Sequence, residues 1–300
     1  MKSLFRLCFF LLLSIVLCPL SIPAQKLSKA GCLQKIDSIF RGQQGYFALA
    51  FRDISTGREL LYHEREVFHA ASTMKTPVLV EIYRQAARGV LKLDEPVTLT
   101  NSFTSIADSS SFRLDSADDS ETSLYRHEGE QRTVSELVYQ MITVSSNFAT
   151  NLLIDRVGAS RIVATMHMLK LDDVHVVRGV EDDRAFQKGL NNTVTASGLM
   201  GLFTLMAERK LVSPAASDSM IRILLDQHFN DIIPARLPAG VKVAHKTGWI
   251  TGIHHDSGIV ILPNGKKYVL VLLSKDLTNE KAAIDAMAAV SELIYRYVTG

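Results

Sequence analysis

The chain has 300 residues, which is long enough for one large domain or for one domain built from two lobes. Hydrophobic residues make up 47% of it and charged residues 21%, so the composition predicts a packed core and excludes a disordered chain. The 33 basic residues nearly match the 31 acidic ones, so nothing in the charge points to a nucleic-acid partner.

The N-terminus is typical of a secretion signal. Lys2 and Arg6 precede an apolar run over residues 7–20, and the small residue Ala24 offers a cleavage point. We therefore predict a signal peptide over residues 1–24 and a secreted, periplasmic mature protein without stable membrane insertion. An uncleaved N-terminal anchor is the alternative, although the apolar run is short for a membrane span.

Cleavage changes both the charge and the cysteine count. The basic residues lose Lys2 and Arg6, which leaves 31 against 31 acidic residues. Cys32 is then the only cysteine, so the mature chain has no internal disulfide and no thiolate metal cluster. Lipid attachment at Cys32 is a second alternative, but polar residues precede it. Nothing in the sequence requires an oligomer, and we expect a monomer.

Hydrophobic spacing predicts the elements of the first two thirds of the chain. Residues 27–42 form a helix, and residues 46–53 and 59–63 form a hairpin. Residues 101–132 are rich in Ser, Asp and Thr and predict a long surface loop or insertion. Helical spacing recurs in five other segments: 78–88, 134–143, 148–157, 160–168 and 196–209.

The end of the chain returns to strands. Three are predicted over residues 241–246, 258–262 and 268–273, followed by an amphipathic helix over 279–298. The predicted fold class is α/β of the α+β type, with an antiparallel five-stranded sheet built from both ends and flanked by terminal helices. Its α/β lobe spans 25–68 and 212–300, and an all-α lobe, 69–211, is inserted with a cleft at the joint.

Ser72 and Lys75 form the first segment that can carry chemistry, and they open a helix predicted over residues 72–88. Positions three apart share a helix face, so the lysine nitrogen can reach the serine hydroxyl. A serine needs a neighbouring base to become a nucleophile, and a lysine serves as one when burial disfavours its charged form. Free N–H groups at the helix start can hold an oxyanion. A helix cap beside a solvated lysine explains the same pair.

Two later segments are also candidates. Ser145 can relay a proton and Asn147 can bind a substrate amide, although both residue types also favour helix starts. At the end of a predicted strand, Lys246 and Thr247 can bind a carboxylate, and Gly248 lets a ligand approach the backbone. A strand that ends in a turn explains this last segment equally well.

The order of these segments resembles that in one enzyme family. Ser-x-x-Lys on an early helix, Ser-x-Asn in the helical region and Lys-Thr-Gly on a late strand form the signature set of class A β-lactamases and penicillin-binding proteins. The surroundings are similar too, over residues 68–71, 147–153 and 237–240. On these motifs the chain is identified as a member of the class A β-lactamase family of penicillin-recognising serine hydrolases.

The resemblance implies a mechanism. Ser72 attacks the carbonyl of a β-lactam or a peptidoglycan peptide and forms an acyl-enzyme, and its backbone N–H shares an oxyanion hole with that of Trp249. Ser145 passes a proton to the leaving nitrogen, and Lys246 with Thr247 binds the substrate carboxylate. The resemblance implies no metal and no organic cofactor.

The sequence departs from the family pattern at three places. Ser146 stands where the family usually has Asp, and the polar segment 101–132 can reshape one wall of the cleft. Glu181 is the best match to the glutamate that activates water for deacylation, but Ala185 stands where an Asn is usual, and the loop is short. Glu181 could equally be a surface carboxylate or an ion-pair partner of a nearby arginine, Arg178 or Arg184.

Three functions follow from these residues. A β-lactamase, with Ser72, Lys75, Ser145 and Glu181 as catalytic residues, is the leading hypothesis. Without a base for deacylation the acyl-enzyme persists, and the protein is then a cell-wall D-Ala-D-Ala peptidase or a related serine hydrolase. The third hypothesis is a sensor that is acylated once or not at all.

Overall fold

The computed structural model describes residues 27–300, so the predicted signal peptide lies outside the described residues. Within this range no helix has the length and apolar character needed to cross a bilayer. The helices are α1 (Lys29–Arg41), α2 (Lys75–Ala87), α3 (Val134–Thr143), α4 (Asn147–Val157), α5 (Ala159–Met168), α6 (Asp183–Gln187), α7 (Ala196–Ala207), α8 (Pro214–Leu225) and α9 (Glu280–Thr299).

The strands fall into one large sheet and three short pairs. They are β1 (Tyr46–Asp53), β2 (Glu59–Tyr62), β3 (Phe68–His69), β4 (Pro96–Thr98), β5 (Phe103–Thr104), β6 (Ser111–Phe112), β7 (Gln131–Thr133), β8 (Thr193–Val194), β9 (Lys242–Ile250), β10 (Ile253–Ile261) and β11 (Lys267–Lys275).

The large sheet is antiparallel and has the order β2-β1-β11-β10-β9. The two ends of the chain meet at its centre, where Tyr46 of β1 lies opposite Lys275 of β11. The prediction of a five-stranded sheet built from both ends is therefore confirmed. Because β9 is an edge strand, one of its backbone edges is left free of sheet pairing.

Alternate residues of the central strands face two separate cores. In β11, Leu270 and Leu272 pack in the core that includes residues of α1 and α9, whereas Val269 and Val271 pack in the core shared with the helical region. Burial on both faces explains why this strand reads as a continuous apolar run. Cys32 of α1 is fully buried in the first core.

The structure differs from the predicted elements at a few places. The helix predicted to open at Ser72 begins as a 3-10 helix, Ala71–Met74, and becomes α-helical at Lys75. The segment 101–132 is not a plain loop, because β5 and β6 pair within it and two 3-10 helices, Ser116–Asp118 and Leu124–His127, follow them. Two helices, α6 and α8, were not predicted.

Leu272 tests the core between the sheet and the terminal helices. Its side chain is fully buried, so Leu272→Ala should lower the free energy of unfolding by about 2–5 kcal/mol through lost burial and a residual cavity. Urea unfolding followed by circular dichroism measures the change. Val90 is 49% exposed, and Val90→Ala should lie within about 0.5 kcal/mol of wild type. Equal losses in the two variants would contradict this packing.

Candidate active site

The edge strand β9 lies against the start of the Ser72 segment. A Cβ atom built on Gly248 would lie 2.8 Å from the backbone nitrogens of both Ser72 and Thr73. Real Cβ atoms do not approach backbone that closely, so only glycine permits this contact. The third motif and the first therefore meet, and Trp249 follows directly on the strand.

Three residues next to or within the predicted motifs have left-handed backbone conformations although none is glycine. The φ angles are +44° at Ala71, +60° at Ser145 and +57° at Glu181. Such conformations are strained for residues with a side chain and persist where the surroundings fix them. At Ala71 the backbone N–H donates to His69 Nδ1 at 3.1 Å. Ala71, Ser145 and Glu181 are therefore positions next to or within the motifs where the backbone is strained.

Lys75 is completely buried, and its Nζ donates three hydrogen bonds. They go to the backbone oxygen of Ser145 at 2.6 Å, to Ser145 Oγ at 3.1 Å and to Asn147 Oδ1 at 2.8 Å. Burial lowers the pKa of Lys75 to about 7, against the opposing effect of the negative charges of Asp119 and Glu181. A substantial fraction of Lys75 is therefore neutral near pH 7 and can accept a proton. Ser72 Oγ itself has no hydrogen bond within residues 27–300.

Lys246 is a second lysine that contacts Ser145. It is also completely buried, and its Nζ donates to Ser145 Oγ at 3.1 Å and to the backbone oxygen of Thr247 at 2.9 Å. Burial and the nearby charge of Lys75 lower the pKa of Lys246 well below its ordinary value, although Asp256 opposes the shift. Ser145 Oγ therefore bridges two lysine nitrogens, which is the arrangement that a proton relay needs.

The side-chain hydroxyl of Thr247, next to Lys246, is buried and unpartnered among the described residues. Its side chain is 2% exposed, and Oγ1 has no hydrogen-bond partner among the described residues. A buried hydroxyl without a partner is destabilising unless a ligand or water completes it. Thr247, Gly248 and Trp249 line a cavity of about 200 Å³ together with His254 and Asp231.

Asn147 connects Lys75 to Glu181. Its Oδ1 accepts from Lys75, and its Nδ2 donates to Glu181 Oε1 at 2.6 Å. Burial raises the pKa of Glu181 to about 7; the bond from Asn147 opposes the shift, and the charge of Asp119 adds to it. A carboxylate with this pKa is a stronger base than an exposed one and is still half ionised near pH 7.

The Glu181 segment is held by hydrogen bonds and not by the predicted arginine pairs. Arg178 donates from Nε to Leu190 O at 2.7 Å and from NH1 to Gly179 O at 2.9 Å, so it ties the two ends of the loop together. Within residues 27–300, neither Arg178 nor Arg184 forms an ion pair with Glu181; Arg184 pairs with Asp108 at 3.6 Å.

Asn151 of α4 holds the same loop from the other side. Its Oδ1 accepts from Val180 N at 2.7 Å, and its Nδ2 donates to Val180 O at 3.0 Å. Gly179 is needed here, because a Cβ atom on it would lie 2.4 Å from Asn151 Oδ1. Both the backbone N–H and the backbone C=O of Val180, the residue before Glu181, are therefore hydrogen-bonded to Asn151.

Asp119 is a site residue that the sequence analysis missed. Ser146, at the centre of the second motif, is the N-cap of α4 and accepts from Ala149 N at 3.2 Å. The carboxylate of Asp119, from the polar segment, accepts the backbone N–H of Asn147 and that of Phe148 at 2.9 Å. The only sequence signal was the missing Asp at position 146, which indicated that these bonds must be rebuilt without showing from where.

Ser72, Asn147, Glu181 and Trp249 line one cleft of about 420 Å³. Lys75, Ser145, Lys246 and Thr247 are buried around it. The structure thus brings all nine predicted site residues together, and the roles assigned to them remain predictions. Phe186, 51% exposed, and Ile250, 38% exposed, add apolar surface to one wall.

Comparisons with known proteins agree with this arrangement. A β-lactamase of Bacteroides uniformis is 25% identical over 302 residues, which cover 96% of this chain and 97% of that protein. The crystal structure of the β-lactamase from Sphaerobacter thermophilus DSM 20745 matches with a TM-score of 0.77 at 23% identity over 90% of this chain and 97% of that one.

The penicillin-binding relative PBP-A matches with a TM-score of 0.76 at 27% identity over 89% of this chain and 95% of that one, and a mutant of PBP-A is known as an acyl-enzyme complex with penicillin G. The predicted fold is confirmed by these structures. The model of the β-lactamase enzyme family matches residues 32–298. The chain therefore belongs to the β-lactamase enzyme family.

Proposed function

We propose that the protein is a secreted serine β-lactamase that opens the β-lactam amide through an acyl-enzyme on Ser72 and hydrolyses that ester with Glu181 as general base. Family membership supports the hydrolase class. One observation supports deacylation most directly: Glu181 lines the same cleft as Ser72 and is joined through Asn147 to Lys75.

In the acylation step Ser72 Oγ adds to the lactam carbonyl carbon and passes its proton to neutral Lys75. The backbone N–H groups of Ser72 and Trp249 stabilise the oxyanion. Ser145, hydrogen-bonded to Lys75, then donates a proton to the lactam nitrogen and regains one from the lysine. The C–N bond breaks, and the opened ring stays on Ser72 as an ester.

The substrate carboxylate is proposed to bind at the end of β9. The unpartnered hydroxyl of Thr247 supplies a hydrogen-bond donor there, and Lys246, whose Nζ lies 2.9 Å from Thr247 O, supplies positive charge. An anionic ligand also disfavours loss of the proton from Lys246, since the two charges attract. Asp231 lines the same cavity, and its negative charge opposes binding of an anion there.

In the deacylation step Glu181 takes a proton from a water molecule, and the resulting hydroxide adds to the ester carbonyl. The C–O bond to Ser72 breaks, the serine regains a proton, and the product leaves as an opened β-amino acid. Ala185 is buried and offers no side-chain amide for the water. Asn147, bonded to Glu181, is an amide that lines the cleft beside it.

A cell-wall D-Ala-D-Ala peptidase is the second candidate. It is favoured by the likeness to PBP-A, which is as similar to this chain as the β-lactamases are. The acylating half of the mechanism is common to both activities, so only the fate of the acyl-enzyme separates them. Release of D-alanine from a peptidoglycan pentapeptide mimic, without turnover of β-lactams, would establish this candidate.

We further propose a periplasmic location after removal of residues 1–24, and a division into an α/β lobe (25–68 and 212–300) and an α lobe (69–211). The signal is supported by its charge and apolar run. The lobes are supported by the two cores, one of which contains the terminal helices and the other most of the inserted helices.

The first test is turnover of a chromogenic cephalosporin. Wild type should give many turnovers per molecule, and Ser72→Ala should give none. Glu181→Gln should release one equivalent of product in a burst and then turn over about 10²–10⁴-fold more slowly, because the general base is gone. Glu95 pairs with Arg156 away from the cleft, so Glu95→Gln serves as the matched control and should retain wild-type turnover. A burst without turnover in wild type would refute the β-lactamase proposal.

The second test is the pH dependence of turnover. The pKa values of Lys75, lowered to about 7, and Glu181, raised to about 7, mean that both bases lose their proton as the pH rises through neutrality. Because kcat/KM reports acylation, we expect it to rise with pH and to be half maximal near the pKa of Lys75, about 7. The rate of acyl-enzyme hydrolysis should rise over the same range as Glu181 ionises, and stopped flow from pH 5 to 9 measures both rates. An acid limb at the pH of an ordinary exposed glutamate would contradict the assignment.

The third test concerns the contact of β9 with the nucleophile. Gly248→Ala places a methyl group against the Ser72 backbone, so the strand and the oxyanion donors must separate. Displacement of this size should slow labelling of Ser72 by a fluorescent penicillin about 100-fold. Gly31→Ala, in the remote helix α1, should label at the wild-type rate. Equal rates in the two variants would refute the close approach.

A further inference from the structure

Asp119 connects the polar segment 101–132 to the start of α4. Asp119 is 8% exposed, and its carboxylate accepts the backbone N–H groups of Asn147 and Phe148 and the hydroxyl of Tyr125, each at 2.9 Å. It also accepts the backbone N–H of Glu121 at 3.1 Å. Within residues 27–300 no lysine or arginine forms an ion pair with it. The helix start and the nearby buried lysine are therefore what balances its charge.

We propose that Asp119 is a positioning residue of the catalytic centre, which holds Asn147 in the orientation that joins Lys75 to Glu181. This inference rests on the proposed function. The carboxylate that the family usually places inside the second motif is supplied here from 27 residues upstream, and Ser146, which remains in the motif, lies 3.5 Å from it.

A chain of hydrogen bonds leads from Asp119 through Asn147 to Lys75 and Glu181. Both Asp119 oxygens lie 2.9 Å from Asn147 N, so the backbone of this residue has little rotational freedom. The side chain of Asn147 then accepts from Lys75 at 2.8 Å and donates to Glu181 at 2.6 Å. A shift of the Asn147 backbone moves both of these bonds, and a misplacement of about 1 Å is enough to slow a reaction about 100-fold.

The charge of Asp119 also acts on both bases. It raises the pKa of Lys75 and that of Glu181. Removal of this charge lowers both pKa values, so the acid limb of the pH profile should move to lower pH. The groups that face this centre from the neighbouring elements are Lys75 of α2, Lys246 of β9, Tyr125, Asp118 and Glu181.

The competing explanation is that Asp119 only stabilises the N-terminus of α4. A cap of this kind would change the unfolding temperature and leave the kinetics of the folded enzyme unchanged. Two measurements distinguish the explanations: the labelling rate of Ser72 per folded molecule, and the dependence of that rate on pH. A purely structural role of Asp119 would change neither.

The experiment compares Asp119→Asn with a matched control on the same segment. The side chain of Glu121 also accepts two backbone N–H groups, but from Ser123 and Leu124 and not from α4. The bond from Glu121 N to Asp119 is made by the backbone and does not depend on this side chain. Asp119→Asn should slow fluorescent-penicillin labelling of Ser72 about 100-fold, with the acid limb moved to lower pH. Glu121→Gln should retain the wild-type rate and profile.

A second-site variant tests the origin of the effect. Ser146→Asp returns a carboxylate to the motif, so the double variant Asp119→Asn with Ser146→Asp should recover the labelling rate to within about tenfold of wild type. In the Asp119-containing protein the same change places two carboxylates together and should lower the unfolding temperature. If Asp119→Asn alone does not fold, the labelling rate of the double variant decides.

Two results would overturn the inference. One is an Asp119→Asn protein with the wild-type labelling rate and pH profile, whatever its unfolding temperature. The other is a folded double variant that stays as slow as Asp119→Asn. Wild-type turnover is measured in parallel: labelling without turnover refutes the β-lactamase proposal but leaves the labelling comparison valid, so the two failures are distinguishable.

Discussion

Two lysine side chains without solvent exposure converge on one hydroxyl, and the rest of the site is arranged around that constraint. Lys75 Nζ and Lys246 Nζ each lie 3.1 Å from Ser145 Oγ. Burial lowers the pKa of both lysines, and the nearby charge of Lys75 lowers that of Lys246 further. Backbone oxygens of Ser145 and Thr247 accept from them, and three carboxylates favour their charged forms: Asp119, Glu181 and Asp256.

This arrangement needs segments that are distant along the chain, and it stores strain where they meet. Of the left-handed residues, Ser145 and Glu181 are held by tertiary hydrogen bonds from Lys75 and Asn147, and Ala71 by a local bond to His69 Nδ1. A site of buried cations and strained backbone is a net loss to stability, which the two apolar cores on either face of the sheet offset.

Features that depend on local sequence could be predicted, whereas contacts between distant segments could not. The sheet was predictable because its strands are apolar on both faces and their turns have strong local signals. The motif residues were predictable because their order along the chain is shared with a known family. Asp119 was not predictable, because it lies 28 positions before Asn147 and its segment holds several acidic residues that the sequence alone does not distinguish. Helix α6 has five residues, too few for a periodic signal.

The two half-reactions place opposite demands on Lys75 and Glu181. Acylation needs a neutral lysine, and deacylation needs an ionised glutamate. Both pKa values lie near 7, so at neutral pH the pair can hold one proton on either partner without a change of net charge. Asn147 suits both states, because its amide accepts from Lys75 and donates to Glu181 whichever of them carries the proton. An ionisable residue at position 147 would favour one state, and a neutral amide leaves the proton free to follow the reaction.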